Sequence, residues 1–575
     1  MRLVPRRVLR TARRALRRVA GSSPVGPVAG RRDEVRRSLA ASMSVEPRPR
    51  DPDTRAWVVA GSWLRAGLGW QWATTVPRPG EWRADVDVLP TVLLIEVADA
   101  AVPGWSGATD ELADLVRTLT ERGVAAIVWE TGGATTPGPE PVVRHATVVA
   151  VTDGDRQAEW RELYPEVAVE VVGAAVEPRL AVPGGPAGRR LDAGVLPVRT
   201  DQAGAGPDAE LRDVAARATT DVWWVGDTAS GGGSARTVTG DGLGALLGQY
   251  RVCLTDDSWV VAAAGATQTP VVWPGEPPAE LADVVTGVGQ DESTRRLLTG
   301  RIHQGELADR EGLRLYRAVL GSMTIEHRTA AILSAAGLPV PPRRTPSVSA
   351  VVPTNRAHEI DNVLDNLGRQ RHDRLQLVLV LHGLDVPDAD LKARAAERGV
   401  RDLTVLRADP GLTLGSCMNL GVQAAEGDYV AKMDDDNYYG EFFLTDLLTA
   451  FDHTDAGIVG KWAHYVWLRS SGAVVLRYPK AEHTYERRIQ GGSMLFDGAV
   501  VRELGFSDIP RAVDSDILDR AIAAGVRIYS GDRFNYVSVR GTDRTGHTWP
   551  VEDATFLTGA GSLVFYGDPR PHVSV

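Results

Sequence analysis

Residues 414–440 read LGSCMNLGVQAAEGDYVAKMDDDNYYG, and the fold is decided where the strand-like segment 429–433 (YVAKM) meets the acids Asp434, Asp435 and Asp436. An acidic surface turn would have no reason to follow a buried strand directly, whereas the carboxyl ends of parallel strands are where α/β sheets bind ligands. Upstream, residues 347–353 (SVSAVVP) read as a buried first strand, followed by Thr354, Asn355 and Arg356 and by an amphipathic helix over 359–369. Residues 375–381 (LQLVLVL) form a second strand and 403–406 begin a third. Strands alternating with helices predict an α/β fold built on a parallel sheet.

Further on, Gly491 and Gly492 open the strand GGSMLF, where the missing side chains allow close backbone approach to a substrate. The acidic segment RAVDSDILDRAIAAG leads into a helix, so Asp514 and Asp516 read either as site residues or as acids favoured in a helix's first turn.

In order along the chain come Pro353-Thr354-Asn355-Arg356, then Gly415-x-x-x-Asn419-x-Gly421, then Ala425-x-Gly427-Asp428-Tyr429, then Asp434-x-Asp436. This ordered set resembles the family 2 glycosyltransferases, over about residues 346–550. The resemblance implies the GT-A nucleotide-diphospho-sugar transferase fold and a nucleotide-sugar donor whose diphosphate gains charge as the glycosidic bond breaks. It also implies a divalent cation, Mg2+ or Mn2+, a hard ion that needs only one or two protein carboxylates.

By the family pattern Asp436 is the direct metal ligand and Asp434 contacts the ribose or a metal-bound water, with Asp435 and Asn437 beside them. Pro353, Thr354, Asn355, Arg356 and Asn419 are placed on the donor, and Lys432 and Lys461 are expected near its phosphates. His547 stands where some relatives supply a third metal ligand or a phosphate contact, with Arg540 and Arg544 as diphosphate partners. On the acceptor side the pattern places Gly491, Gly492, Asp516 and the base Asp514, which would take the acceptor's proton in a single displacement with inversion. Trp462, Tyr465, Trp467 and Trp549 are candidates for stacking on sugars or for the core. The chain departs from the pattern in two places. The second strand ends Leu381-His382-Gly383 where relatives carry a base-recognising Asp, and the first-strand motif is one residue short, so the donor nucleotide stays open.

The chain has 575 residues with 64 basic and 74 acidic side chains. Its only cysteines, Cys253 and Cys417, can build neither a disulfide framework nor a four-cysteine zinc site. Only Lys392, Lys432, Lys461 and Lys480 are lysine, which against so many arginines marks them as positions of interest. No apolar run is long enough to span a membrane. Residues 1–40 hold twelve arginines against Asp33 and Glu34. Residues 1–20 are expected to form a basic amphipathic helix that lies on an anionic membrane surface, as an alternative to a solvated tail or a transit peptide. The acidic remainder argues against nucleic acid as a partner.

Composition shifts at 21–52, 183–206 and 339–346 read as linkers. They divide the chain into a basic helix and linker (1–52), a Rossmann-like region (53–338), a Pro-rich linker (339–346) and the transferase-like domain (347–575). Strand patterns at 91–96, 124–129, 146–151, 167–172, 221–225, 251–254 and 270–273, with a helix over 109–122, again predict parallel sheets. The glycine-rich run 226–234 (GDTASGGGS) lacks the Lys-Ser/Thr of a phosphate-binding P-loop and reads as a flexible loop. VVAVTDGDRQAEW from Val148, VEVVGAAVEPR from Val169 and MTIEHRTAAIL from Met323 weakly resemble two-lobed, GT-B-like spore-maturation-type glycosyltransferase domains. No acid or phosphate-ligand cluster stands out there, so a non-catalytic role fits residues 85–335 as well as a second active site does.

These features together point to an inverting, metal-dependent glycosyltransferase on the cytoplasmic face of a bacterial membrane. It would act on a glycan or lipid-linked hydroxyl acceptor in cell-wall, capsule or other envelope glycan synthesis. The competing readings are a nucleotidyltransferase using the same acid-metal logic and a non-catalytic scaffold at the membrane surface.

Overall fold

The structure is a computed structural model, and it describes residues 47–98, 102–132, 139–184, 191–199, 209–226, 237–289, 292–343, 345–541, 553–557 and 561–575. The arginine-rich helix expected over residues 1–20, most of the 226–234 loop, and Arg544, His547 and Trp549 lie outside the described residues. Among the described residues no helix is long and apolar enough to cross a membrane.

The first part of the chain carries two six-stranded sheets, each with all its pairings parallel. One runs Trp72–Thr75, Asp51–Val59, Val92–Val97, Ala125–Glu130, Val148–Val151, Ala168–Val171. The other runs Thr286–Val288, Val271–Pro274, Tyr250–Leu254, Leu191–Arg199, Thr220–Val225, Thr237–Val238. Every predicted strand of this region is present within a residue or two. Two readings need correction. The first strand starts at Asp51, before the expected end of the leading linker. Residues 191–199, expected inside a linker, form an interior strand of the second sheet. Pro197 and the glycines around the segment hide its pattern, yet Leu191, Ala193, Val195, Leu196 and Val198 are all buried. Gly194 lies so close to the next strand that a Cβ there would come within 2.7 Å of Thr220 Oγ1.

The region from residue 348 is a mixed α/β unit, as the GT-A resemblance implies. Its strands are β1 (Val348–Thr354), β2 (Leu375–His382), β3 (Asp402–Ala408), β4 (Tyr429–Lys432), β5 (Tyr438–Tyr439), β6 (Ile458–Gly460), β7 (His464–Leu468), β8 (Ala473–Arg477), β9 (Thr484–Tyr485), β10 (Met494–Asp497), β11 (Ile528–Ser530), β12 (Tyr536–Arg540) and β13 (Gly561–Tyr566). The helices that matter below are α1 (Ile360–Gly368), α2 (Asp388–Glu397), α3 (Leu414–Ala424), α4 (Phe443–His453), α5 (Gly498–Leu504) and α6 (Val513–Ala523).

The main sheet has the order β3-β2-β1-β4-β10-β6-β11-β9. Strands β3, β2, β1 and β4 pair in parallel, and β10 enters antiparallel beside β4. The central strands are apolar on both faces because helices cover both. Ala350, Val352, Leu377, Leu379 and Leu381 pack with α1 residues Ile360, Val363 and Leu364. Val351, Val378 and Val380 pack with Cys417, Met418 and Val422 of α3. A second sheet, β5-β12-β7-β8-β13, stands beside the acidic turn and is not foreshadowed by any sequence reading.

Helix Gly305–Ser322, which precedes the Pro-rich segment, packs onto the transferase-like region through charge. Arg317 Nε meets Asp446 Oδ1 of α4 at 2.7 Å, with Asp446 almost fully buried. Arg533 is held by Glu306 at 2.6 Å, Asp309 at 3.0 Å and Glu482 at 2.8 Å. Removing one partner of a buried pair strands the other charge, so Arg317→Ala should cost about 3 kcal/mol in urea denaturation. Unchanged stability would show that the pair does not secure this contact.

Nearby, His453 of α4 packs edge-on against Tyr316 and Tyr529, with ring centroids 6.4 and 5.8 Å away. Burial pushes its pKa down from 6.5 to about 3. The folded protein therefore keeps His453 neutral while the unfolded chain protonates it, so its share of stability is intact above pH 6.5 and is lost as pH falls toward 3. The denaturation midpoint should drop between pH 7 and about 4, and His453→Phe should flatten that dependence.

Candidate active site

A cleft of about 850 Å³ opens at the carboxyl ends of β1, β2 and β4. Pro353, Thr354, Asn355, Arg356, Lys432, Asp434, Asp435, Asp436, Gly491 and Asp514 all line it, so one cavity gathers most of the residues singled out in the sequence.

The acidic turn is fixed from below chiefly by hydrogen bonds to its backbone. Asn362 Nδ2 donates to Asp435 O at 2.7 Å and to Asn437 O at 3.2 Å, and Asn366 Nδ2 donates to Asn437 O at 2.9 Å. The two asparagines stand four residues apart on α1, one turn from each other, and so face the same turn. Asp434 N donates to Tyr439 Oη at 2.7 Å, and that hydroxyl donates to Gly492 O at 2.7 Å. Asn437 closes the frame: its Nδ2 reaches Asp434 Oδ2 at 3.2 Å and Tyr536 Oη at 3.1 Å, and its Oδ1 accepts from Val539 N at 3.0 Å.

Two cations divide the four acids between them. Arg356 holds Asp435 through Nε at 3.1 Å and through a second, shorter contact, and reaches Asp436 Oδ2 with both terminal nitrogens at 3.1 Å. Thr354 Oγ1 also donates to Asp435 at 2.6 Å, so this buried carboxylate is spent on the end of β1. Lys432, buried in β4, places Nζ 2.7 Å from Asp434 Oδ1, 3.2 Å from Asp514 Oδ1 and 3.2 Å from Gly491 O. Burial alone would lower the Lys432 pKa, but Asp434 and Asp514 outweigh it and hold the ammonium above its ordinary range. Burial pushes Asp434 up, opposed by Lys432 and reinforced by Asp514 and Asp436.

The glycines let the backbone come close to the acids. A Cβ on Gly491 would lie 2.0 Å from Asp514 Oδ2, and one on Gly492 would lie 2.4 Å from Asp434 Oδ2 and 2.8 Å from Asn437 Nδ2. The segment 491–493 is a short 3-10 turn, and the strand begins only at Met494.

Other expected residues are placed elsewhere. Asn419 uses both ends of its amide on Phe506, donating to its O at 2.8 Å and accepting from its N at 2.7 Å. Asp516 accepts from Ser507 Oγ at 2.6 Å and Arg520 Nε at 2.9 Å, which hold its pKa below the ordinary range. Lys461 is fully buried, with Nζ 2.9 Å from Asp532 O and 3.1 Å from Asp532 Oδ1. Of the candidate aromatics, Trp462 lines the cleft and stacks on Tyr478 at 3.9 Å. Tyr465 is buried with its hydroxyl on Arg533.

The residues missed from sequence are His382, Arg477, Arg488 and Arg511 on the cleft wall and the Asn362/Asn366 clamp beneath it. Only the asparagine pair left a signal, as two amides one turn apart on a helix that is otherwise apolar on its buried face.

Among the described residues no group of three or more His, Cys, Asp or Glu side chains could enclose a metal ion. The oxygen donors Asp434 and Asp436, both on the cleft wall, suit a hard cation that fills its remaining positions with water and substrate oxygens. Asp435 does not suit that role, because it is buried with both oxygens held by Arg356 and Thr354, whereas Asp434 and Asp436 are partly exposed.

Lys432→Met would leave Asp434 and Asp514 without the buried ammonium between them and, as Asp434 is partly exposed, should cost about 1 to 2 kcal/mol in denaturant unfolding. Adding Asp434→Asn should recover part of the loss by removing the stranded charge. No loss in the single variant would mean that Lys432 does not balance this cluster.

Residues 349–500 match the family described as Glycosyl transferase family 2, which bears out the resemblance read from the sequence for that stretch. Two Bacillus subtilis proteins are similar: EpsJ, an uncharacterized glycosyltransferase, at 28% identity over 116 residues, and EpsH, also named as a glycosyltransferase, at 28% over 123 residues. These alignments cover 20% and 21% of this chain and 33% and 35% of the relatives, so the chain spans about a third of the length of each. Among solved structures, the mannosyltransferase PcManGT of Pyrobaculum calidifontis, in complex with GDP-Man and Mn2+, aligns at 21% identity and a TM-score of 0.29 over 35% of this chain and 59% of that one. S. aureus TarS 1-349 in complex with UDP-GlcNAc aligns at 18% identity and a TM-score of 0.29 over 34% of this chain and 59% of that one.

Proposed function

We propose that this protein is an inverting glycosyltransferase that moves a sugar from a nucleotide-sugar donor to a hydroxyl of a glycan or lipid-linked acceptor, in the assembly of a bacterial envelope glycan. The observation that carries this reading is the single cleft in which the end of β1, the acidic turn after β4, the Gly491-Gly492 turn and Asp514 converge. The family match over residues 349–500 supports the transferase class.

Asp514 is the proposed base. It stands in the first turn of α6, on the cleft wall, with Oδ1 3.2 Å from Lys432 Nζ. In the displacement, the acceptor oxygen would bond to the anomeric carbon as the bond from that carbon to the diphosphate breaks. The hydroxyl proton would pass to Asp514 and the nucleoside diphosphate would leave. Asp434 and Asp436 are the proposed holders of Mg2+ or Mn2+, which when bound would neutralise the leaving diphosphate. Arg356 would orient both Asp435 and Asp436, and the missing side chains at 491 and 492 keep the backbone close to the acids.

The region 53–338 is proposed as a non-catalytic support. The acids at the strand ends of its first sheet are taken up by its own structure. Glu96 accepts from Gly61 N at 2.7 Å and Thr131 Oγ1 at 2.5 Å, and Glu130 pairs with Arg156 and accepts from Trp160 Nε1 at 3.2 Å. Residues 1–20 are proposed to rest on an anionic membrane surface at the cytoplasmic face, each arginine near the surface contributing about 1 kcal/mol.

The test is sugar transfer and nucleotide release from UDP-, GDP-, dTDP- and CDP-sugars, with Mn2+ or with chelator. One donor should give metal-dependent release that Asp436→Asn abolishes. Asp514→Asn should keep the donor's Kd while lowering kcat by about 10² to 10⁴. Near-normal turnover in Asp514→Asn would remove it as the base, and failure of the wild type to bind any nucleotide would replace the transferase reading with scaffolding.

A further inference from the structure

The wall of the cleft contributed by the sheet β5-β12-β7-β8-β13 carries two arginines: Arg540, expected from the resemblance to meet a diphosphate, and Arg477, which nothing above uses. Arg477 ends β8 and Arg540 ends β12, and both line the same cavity as Asp434 and Asp436. Both guanidiniums lie over one face-bearing residue, Phe556, with ring-centroid distances of 5.3 Å for Arg477 and 5.2 Å for Arg540.

Two like charges gathered on one ring repel each other, and an aromatic face offsets only part of that cost. Arg477 has no carboxylate partner among the described residues. Its terminal nitrogen donates to Tyr478 Oη at 2.8 Å, and its Nε is buried without a hydrogen-bond partner. A buried, unpaired N–H is costly unless something supplies an acceptor. The two guanidiniums also act on their neighbours. His464, paired with Arg477 across β7 and β8, is pushed down to about 4 chiefly by burial, with Arg477 and Arg540 adding to the effect. Burial likewise lowers Arg540, with Asp434 and Asp436 opposing and Arg477 reinforcing the shift.

We propose that Arg477 and Arg540, side by side over Phe556, form a phosphoryl-binding subsite in the wall of the cleft. The planar fork of a guanidinium matches a phosphoryl group with two parallel hydrogen bonds, and Arg477 has its Nε available for one of them. Two substrates carry that chemistry: the diphosphate of the donor and a phosphate group on the acceptor. The naming of these two sources rests on the transferase reading, whereas the subsite itself rests on the arginines alone.

The test is calorimetric binding of inorganic pyrophosphate, UDP, GDP, uridine, guanosine and glycerol 3-phosphate to the full chain in chelator, comparing wild type, Arg477→Gln and Arg477→Lys. Circular dichroism of each variant confirms that it is folded. Pyrophosphate affinity should fall about tenfold in Arg477→Gln and less in Arg477→Lys, the size expected for a charge-assisted bond, while the nucleosides are unaffected. A parallel fall for UDP or GDP would assign the subsite to the donor's diphosphate. A fall for glycerol 3-phosphate, with UDP and GDP unchanged, would assign it to an acceptor phosphate. Pyrophosphate binding that is absent in the wild type, or equal in wild type and Arg477→Gln, would overturn the proposal. Arg477-dependent pyrophosphate binding by a protein that binds no nucleotide would sink the transferase reading and leave the subsite standing.

Discussion

Four carboxylates converge on one cleft, and the arrangement holds only because two cations are distributed among them. Arg356 takes Asp435 and Asp436 from the β1 side, and Lys432 takes Asp434 and Asp514 from within the sheet. Without these cations, like charges at this separation in a partly buried site would shift toward protonation or push the turn apart. The division has a chemical consequence. Asp435 is neutralised in place and serves the scaffold, whereas Asp434, Asp436 and Asp514 keep faces on the cavity. Three successive aspartates thus take different parts because each meets a different set of partners, although their sequence presents them as equivalent.

The frame around these acids reaches well beyond the sheet that carries them. Arg317, on the helix before the Pro-rich segment, binds Asp446, and Asp446 Oδ2 accepts from Asn535 Nδ2 at 3.0 Å. Asn535, held at a φ of 58°, accepts from Gly440 N at 2.8 Å through its carbonyl. Its neighbour Tyr536 reaches Asn437 in the acidic turn. Gly440 has no room for a side chain, since a Cβ would meet Asn535 Oδ1 at 2.5 Å. Consecutive packed and hydrogen-bonded groups therefore connect the helix 305–322 to the turn after β4. Within the compact unit 47–575, the region before the Pro-rich segment is part of what keeps the turn in shape.

The sequence made the sheet and the contents of the cleft legible because both rest on local signals. A buried parallel strand is a short apolar run, and the Asp, Gly and Asn motifs each sit at a strand end, so order along the chain translates into proximity at one edge. Residues 191–199 were hidden because Pro197 and the flanking glycines resemble linker composition, while the burial that makes them a strand comes from neighbours distant in sequence. Asn419 and Asp516 have the residue types of site groups, but their partners, Phe506 for one and Ser507 and Arg520 for the other, are visible only once the chain is folded. The second sheet escaped for a related reason. It pairs β5 and β12, almost a hundred residues apart in sequence, in a register that no periodicity announces.

The lysines show how far a compositional argument reaches. In a chain that uses arginine almost everywhere, four lysines remain, and two of them, Lys392 and Lys480, are exposed. The other two are the buried ones, and they do the same physical work in different places. Lys432 brings three hydrogens to Asp434, Asp514 and Gly491 O, and Lys461 caps both the carbonyl and the carboxylate of Asp532. A compact ammonium can point its donors in three directions within a space where a planar guanidinium, with its donors fixed in one plane, cannot. Rarity therefore singled out two positions where geometry excludes the commoner cation, but it could not tell them from the two exposed lysines. It also could not say that both buried charges would balance carboxylates of the chain itself.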